Sequence, residues 1–335
     1  MTNQTANKPI FEATCPSVPI HRVAVTGATG FVGRALMTQL VKMDGAEVLA
    51  LTRKNPTNPV LGAKYIKTGD LTSENQGKSV LADVHAVVHI AGRAHVLNDR
   101  ADNPLAEFRR INTAGTLRLA EQAAAMGVQR FVFVSSIGVN GVQTAPNKAF
   151  SEADEPNPHN AYTLSKFEAE QGLMRIADKT GLEVVIIRPP LVYGFNAPGN
   201  FGSLMRAVQR GLPLPLGAVH NQRSLVALNN LVDFVITCIT HPKAANQTFL
   251  VSDGQDLSTT DLVRGMARAA GVPARLLPVP VWALQAGAKL LGKGDAVQRL
   301  CGNLQVDISK ARELLGWVPP ISVEEGLIRA MGRNG

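Results

Sequence analysis

The stretch that most constrains this chain is Thr26-Gly27-Ala28-Thr29-Gly30-Phe31-Val32-Gly33. An apolar run from His21 to Val25 leads into it and predicts a short buried strand. Val32, Leu36, Leu40 and Val41 follow at helical spacing. Strand, glycine turn and helix in immediate succession are the context in which spaced glycines hold a dinucleotide. Gly27 allows the tight turn, Gly30 lets backbone approach a pyrophosphate, and Gly33 lets helix and strand pack closely. The unpaired N–H groups and partial positive charge of the helix start then face the phosphates. With Thr29, Phe31 and Val32 between the glycines, this turn is the first candidate cofactor site.

Strand and helix patterns continue to alternate. Glu47 to Leu51 predicts a second strand that runs out at Thr52-Arg53-Lys54. An acid near this position bonds the ribose 2′-hydroxyl of NAD, whereas a basic residue suits the 2′-phosphate of NADP. No acid occurs from Leu49 to Gly69, so Arg53 favours NADP, with NAD left open. Lys64 to Lys67 predicts a third strand before Gly69-Asp70-Leu71, and Val84 to Ile90 a fourth that closes on the small pair Ala91-Gly92. His85, His89 and His95 share no helix face at metal-ligand spacing and read as structural, with His95 also a candidate lining of the substrate cleft; no metal site is expected. Pro104 to Met126 is a long helical pattern, and Arg130 to Val134 is a strand ending in Ser135-Ser136. A polar, proline-bearing loop spans Gln143 to Asn160 before a helix opens at Tyr162. Glu183 to Arg188 is a sixth strand, stopped by Pro189-Pro190.

This order predicts a Rossmann-type, doubly wound α/β fold around a parallel sheet. Residues 1–20 read as a loose arm and 21–190 as the dinucleotide-binding domain. Residues 191–335 read as a smaller C-terminal substrate-binding lobe, some segments of which return to the first domain. Helices are expected in the lobe near Phe201–Arg210, Asn229–Thr240, Thr259–Ala270 and Val323–Met331.

Charge and cysteine usage narrow the class. The formal net charge of +8 is dispersed, with no Lys/Arg run longer than the pairs Arg53-Lys54 and Arg109-Arg110. That argues against a nucleic-acid face and for anionic small ligands. Cys15, Cys238 and Cys301 form no CxxC pair, which suits a reducing cytoplasm without disulfides or zinc. No apolar stretch approaches the ~18–20 residues that span a bilayer, and no signal-peptide pattern opens the chain.

Tyr162 and Lys166 lie four apart, on one face of a helix. A phenol with an ordinary pKa near ~10 is a poor base at neutral pH, and a neighbouring cation lowers it. Ser136, at the end of the preceding strand, can hydrogen-bond the reacting oxygen. Ser136, Tyr162 and Lys166 are therefore the candidate catalytic residues.

The G-x-x-G-x-x-G turn is followed in order by Asn112-Thr113-Ala114-Gly115-Thr116, the Ser-ended strand, Y-x-x-x-K and Arg188-Pro189-Pro190-Leu191-Val192-Tyr193-Gly194. Asp307-Ile308-Ser309-Lys310 and Leu314-Leu315-Gly316-Trp317 close the series. Over residues 21–332 this resembles the extended branch of the short-chain dehydrogenase/reductase superfamily, in particular UDP-glucose 4-epimerase-like proteins and 4-keto nucleotide-sugar reductases. The resemblance implies an adenine contact at Asp70-Leu71 and contacts to the nicotinamide side of the cofactor at Ala91, Gly92, Tyr162, Lys166 and Pro189. It implies that Asn112 ties sheet to active site; Asp307 and Trp317 match its C-terminal element and read as helix cap and core, without a direct catalytic role. Ser136 is preferred to Ser135 because the family serine lies four residues before the middle of a V-Y-G turn. Here that turn reads Val139-Asn140-Gly141, so Asn140 departs from the family at a sugar-contacting position. Asn200 and Arg223 match diphosphate-sugar contacts, and a guanidinium forks well onto phosphate oxygens.

The implied activity is epimerisation of a UDP-sugar at C4. Tyr162 takes the hydroxyl proton while hydride moves to the nicotinamide, and hydride returns to the other face of the 4-keto sugar. The alternative is a one-way NADPH-dependent reductase of a UDP-4-keto-6-deoxy-hexose or hexosamine, which Arg53 supports. A non-catalytic NADP-sensing protein is a third reading. A dehydratase is disfavoured, because Ile137-Gly138 stand where that chemistry needs Asp-Glu. The resemblance also implies a homodimer through helices near 104–126 and 160–180.

Overall fold

The computed structural model describes residues 21–69, 79–94, 103–290, 292 and 294–332. Its centre is a seven-stranded, all-parallel sheet. The strands are β1 (Arg22–Thr26), β2 (Glu47–Thr52), β3 (Lys64–Lys67), β4 (Ala86–His89), β5 (Arg130–Val134), β7 (Glu183–Arg188) and β10 (Gln247–Leu250). The short β6 (Ala149–Phe150) pairs with β11 (Gln305–Val306), and β8 (Leu191–Tyr193) with β9 (Leu225–Ala227). Across the large sheet the order is β3-β2-β1-β4-β5-β7-β10. It reverses direction between β1 and β4, the switch point at which doubly wound sheets hold ligands.

Both sheet faces are covered, which is why the strands read as continuous apolar runs. On one face, Val23 and Val25 of β1 meet α1 (Phe31–Leu40) through Leu36, Met37 and Leu40, and α6 (Leu228–Thr240) through Leu231, Phe234 and Val235. On the other, Ala24 packs with α3 (Gly115–Ala125) and α4 (Ala161–Thr180), through Leu119, Ala123, Leu173 and Ile176. The helix expected over Pro104–Met126 is continuous but not uniform. α2 (Pro104–Phe108) passes through a π-helical segment, Arg109–Ala114, before α3.

Local signals fix the helix that matters most. Asn160 and Thr163 form a reciprocal capping box at the start of α4, and Gly181 ends it in the left-handed conformation, φ 77°.

The chain beyond Leu191 divides between two places. α6, β10 and α10 (Ser309–Leu315) join the sheet and its core. α5 (Gly199–Gln209), α7 (Thr259–Ala270) and α11 (Val323–Ala330) build a second core around Phe201, Met205, Val263, Met266 and Leu327. α8 (Val281–Leu290) and α9 (Gly294–Cys301) complete this lobe. Among the described helices, α8 and α9 lie outside those expected from the sequence.

Candidate active site

The glycine turn is built by contact as much as by conformation. Gly27 sits at φ +70°, and a Cβ there would lie 2.7 Å from the Ala91 nitrogen. A Cβ at Gly33 would lie 2.1 Å from the Gly27 carbonyl oxygen, so the helix starts against the turn itself. The Gly30 N–H donates to Gly27 O at 2.9 Å and Gly30 caps α1 in extended conformation. The first helical N–H groups, from Phe31 and Val32 onward, stand at the carboxyl end of the sheet. Thr29 is exposed, and the Phe31 ring comes close to Gly194, so the turn faces the R-P-x-x-V-Y-G segment. Arg53 is exposed where β2 ends. Asp70, Leu71 and His95 lie outside the described residues.

Beside the turn, a chain of hydrogen bonds ties four elements together. Asn112, buried in the π-helical segment, accepts from Arg93 N at 2.7 Å and donates to Arg93 O and Ser165 Oγ. The Thr116 hydroxyl donates to Asn112 O at 2.6 Å, so it accepts from His89 Nε2 at 2.9 Å. His89 Nδ1 is then the acceptor for the Thr26 hydroxyl at 2.6 Å, and Thr26 accepts from Ala91 N. Burial first, and the Lys166 charge second, lower the His89 pKa to about 3, so the ring is neutral. Gly92 closes this corner: a Cβ there would sit 3.2 Å from Asn112 Oδ1 and 3.4 Å from Lys166 Nζ.

Tyr162, Lys166 and Glu170 occupy successive turns of α4 on one face. Tyr162 and Ser136 are half-buried and hydrogen-bonded to each other. Ser136 Oγ also accepts from Gly138 N at 3.1 Å. Ser135 instead turns inward and donates to Glu170, which leaves Ser136 beside the phenol. Desolvation pushes the Tyr162 pKa up to about 12, against the Ser136 hydrogen bond. This differs from the lowering expected from Lys166. The reason is placement: Lys166 Nζ donates to Val134 O at 3.0 Å and lies 4.4 Å from the centre of the Phe133 ring, at the carboxyl end of β5. Burial lowers Lys166 to about 8, with Glu170 acting in the opposite sense.

The other expected positions are more scattered. Asn140 is 3% exposed, with its amide engaged on both sides: Oδ1 accepts from Arg188 Nη1 at 2.9 Å and Nδ2 donates to Ser151 O. Pro189 is buried, and its carbonyl accepts from Ile137 N. Asn200 is exposed in the first turn of α5. Arg223 is half-buried and its Nη1 donates to Gly302 O at 3.0 Å. Asp307 accepts from Ser309 N and Oγ one residue ahead of Ile308, the N-cap of α10, and Trp317 is buried with Nε1 on Asp233. Glu170, missed from the sequence, forms a buried ion pair with Arg188 at 2.6 Å. Its signal was a carboxylate four residues beyond Lys166. Among the described residues no cluster of His, Cys, Asp or Glu could hold a metal ion, and no helix is long and apolar enough to cross a membrane.

Comparison with known proteins agrees with this geometry. Residues 23–252 match the model of the NAD dependent epimerase/dehydratase family. A UDP-glucose 4-epimerase of Vibrio cholerae is 48% identical over 91% of this chain and 92% of its own. The fold is shared with a UDP-glucose 4-epimerase of Thermotoga maritima solved with UDP-glucose. Its TM-score is 0.75 at 23% identity, covering 93% of this chain and 98% of that one. It is shared too with a UDP-glucuronic acid 4-epimerase of Bacillus cereus solved with NAD. There the TM-score is 0.74 at 20% identity, covering 93% and 96%. A switch-point glycine turn, a serine–tyrosine–lysine cluster beside it and a match over two thirds of the sequence converge: this chain is an enzyme of the NAD-dependent epimerase/dehydratase family.

Proposed function

We propose that this enzyme epimerises a UDP-hexose at C4 through a 4-keto intermediate. The observation that carries the reading is the 48% identity with the Vibrio cholerae enzyme over nine-tenths of both chains. The glycine cradle fits a dinucleotide, because the Cβ positions of Gly27, Gly33 and Gly92 are all closed by backbone or by Asn112 and Lys166. Backbone N–H groups of Thr29, Phe31 and Val32 would hold the pyrophosphate, with Gly30 letting the backbone approach it, and Ala91, Gly92, Lys166 and Pro189 would hold the nicotinamide half. Bound there, the nicotinamide supplies the acceptance and return of a hydride at C4.

The protein's own residues handle the proton. Tyr162 Oη takes it from the C4 hydroxyl and gives it back to the C4 oxygen after the sugar has turned. Ser136 Oγ hydrogen-bonds that same oxygen and holds it at the phenol. Lys166, a turn below and anchored on Val134 O in this structure, would supply the positive charge that a phenolate needs once cofactor and sugar fill the site. Arg223 and Asn200 would hold the diphosphate. Among the described residues Arg223 Nε and Nη2 have no hydrogen-bond partner, which suits a forked contact. We further propose a cytoplasmic homodimer. Its interface would cover the groove of about 450 Å³ that Leu117, Gly172 and Ile176 line between α3 and α4.

Arg53 favours a second reading, reduction of a UDP-4-keto-6-deoxy sugar by NADPH. A basic, exposed residue at the end of β2 suits the 2′-phosphate that an enzyme drawing on the NADPH pool must recognise. One experiment separates the two. The protein is purified, its bound nucleotide released and identified, and UDP-glucose conversion assayed without added cofactor. Retained NAD with conversion supports the epimerase. An empty site that takes NADPH, with no conversion, overturns it in favour of the reductase.

A further inference from the structure

The lobe beyond Leu191 carries a surface that the proposed reaction does not use. No Asp or Glu occurs from Leu262 to Gly294, a stretch that holds Arg264, Arg268, Arg275, Lys289 and Lys293. None occurs from Val184 to Val232 either, where Arg188, Arg206, Arg210 and Arg223 lie.

The fold brings parts of these two stretches together. Leu214 N donates to Arg275 O at 2.9 Å and Leu277 N to Leu214 O at 2.8 Å, so residues 210–214 run beside 275–277. Leu212 and Leu277 stand about half exposed on this rim, flanked by exposed Arg210 and Arg275. Pro278 and Pro280 then lead into α8. That helix turns Ala288 inward and leaves Trp282, Gln285, Ala286, Lys289 and Leu290 outward. Trp282 is 72% exposed and Leu290 89%. The outer face of α8 is thus apolar with one lysine and no acid, continuous with a rim of leucines and arginines.

We propose that this face, formed by residues 210–214, 275–277 and α8, docks on the surface of an anionic lipid bilayer, with α8 lying in the headgroup plane. The chemistry fits that occupant. Tryptophan prefers the membrane–water interface. A helix with an outward apolar face and basic flanks lies along the bilayer rather than across it. Lys and Arg are drawn to anionic headgroups, and no carboxylate in these stretches opposes them. A second copy is a poorer partner, because pairing the face with itself sets its basic residues against each other.

The test uses the full-length protein and vesicles of phosphatidylglycerol mixed with phosphatidylcholine, against phosphatidylcholine alone. Binding is read by co-sedimentation and by tryptophan emission. The chain has two tryptophans, and Trp317 is buried, so a change reports Trp282. The expected result is binding to the anionic vesicles with a blue shift, weakened by salt. The Trp282→Ala/Leu290→Ser double variant should lose at least about tenfold in partitioning, and Lys289→Gln on the order of fivefold. Sugar-nucleotide turnover in solution, read on the same variants, should stay at the parent level, which shows that they fold. Equal sedimentation with both vesicle types, or unchanged binding by the double variant, overturns the proposal. Self-association that the double variant abolishes, without vesicle binding by the parent, overturns it in favour of a second copy.

Discussion

Acid should destabilise this protein through one buried imidazole. His89 is 1% exposed, donates from Nε2 to Thr116 and accepts at Nδ1 from Thr26. Its ring stacks on Phe133 with centroids 5.8 Å apart. Burial, then the Lys166 charge, depress its pKa from 6.5 to about 3. For a base, a depressed native pKa means that the unfolded chain takes up a proton which the native state refuses. The stability present above pH 6.5 is therefore lost as pH falls, and the loss levels off near pH 3. The slope for one proton is about 1.4 kcal/mol per pH unit, so the loss at pH 4 is roughly 3 kcal/mol. Against a typical domain stability of ~5–15 kcal/mol that is a large share. His89→Gln keeps a donor and an acceptor but cannot titrate. At pH 7 it should cost about 1–3 kcal/mol through imperfect hydrogen bonds. Urea unfolding of both proteins from pH 7.5 to pH 4 measures the difference, and carboxylate titrations common to both cancel. The parent's advantage should shrink by roughly 3 kcal/mol over that range and can reverse. Parallel stability curves would show that His89 takes no part, and the neutral, doubly bonded imidazole would have to be abandoned.

Three other outcomes are expected. Tyr162→Phe should lower kcat by about 10²–10⁴-fold while dinucleotide binding, followed by calorimetry, is retained; near-parent turnover would remove Tyr162 from the mechanism. Arg223→Ala should weaken UDP binding by roughly ten- to a hundredfold, or ~1.5–3 kcal/mol, with cofactor binding intact, and equal UDP affinity would make Arg223 structural. Light scattering at micromolar concentration should give about twice the chain mass of 35.7 kDa, and a monomer alone would refute the proposed interface.

The parts that were legible in the sequence are those in which one local pattern has one physical outcome. β5 and β7 fall on the expected residues because both faces of a buried parallel strand need apolar side chains. The glycine turn was legible because Gly27 and Gly33 meet backbone where any side chain would collide. The π-helical segment at Arg109–Ala114 was not, since one residue of extra winding leaves the apolar spacing almost unchanged. α8 was missed because its outer face is apolar, which erases the amphipathic stripe, and prolines precede it. The position of Lys166 also needed three dimensions. Spacing puts its ammonium one turn from the phenol, but only the fold shows it anchored on Val134 O.

Asn140 shows how a departure from a family pattern is absorbed. Its amide accepts from Arg188, Arg188 pairs with Glu170, and Glu170 accepts from Ser135. All four side chains are less than a tenth exposed. A buried ion pair of this kind adds little net stability, but breaking one side strands a charge and is costly. The network therefore acts chiefly as a geometric lock on the carboxyl ends of β5 and β7. Ser135 N also donates to Ile187 O at 2.7 Å and Ile137 N to Pro189 O at 3.0 Å, so backbone and side chains pin the same two strand ends. Ser136 lies between those pins and inherits their rigidity. Asn140 thus contributes to the site from inside the protein, by holding the arginine that holds the glutamate one turn beyond Lys166.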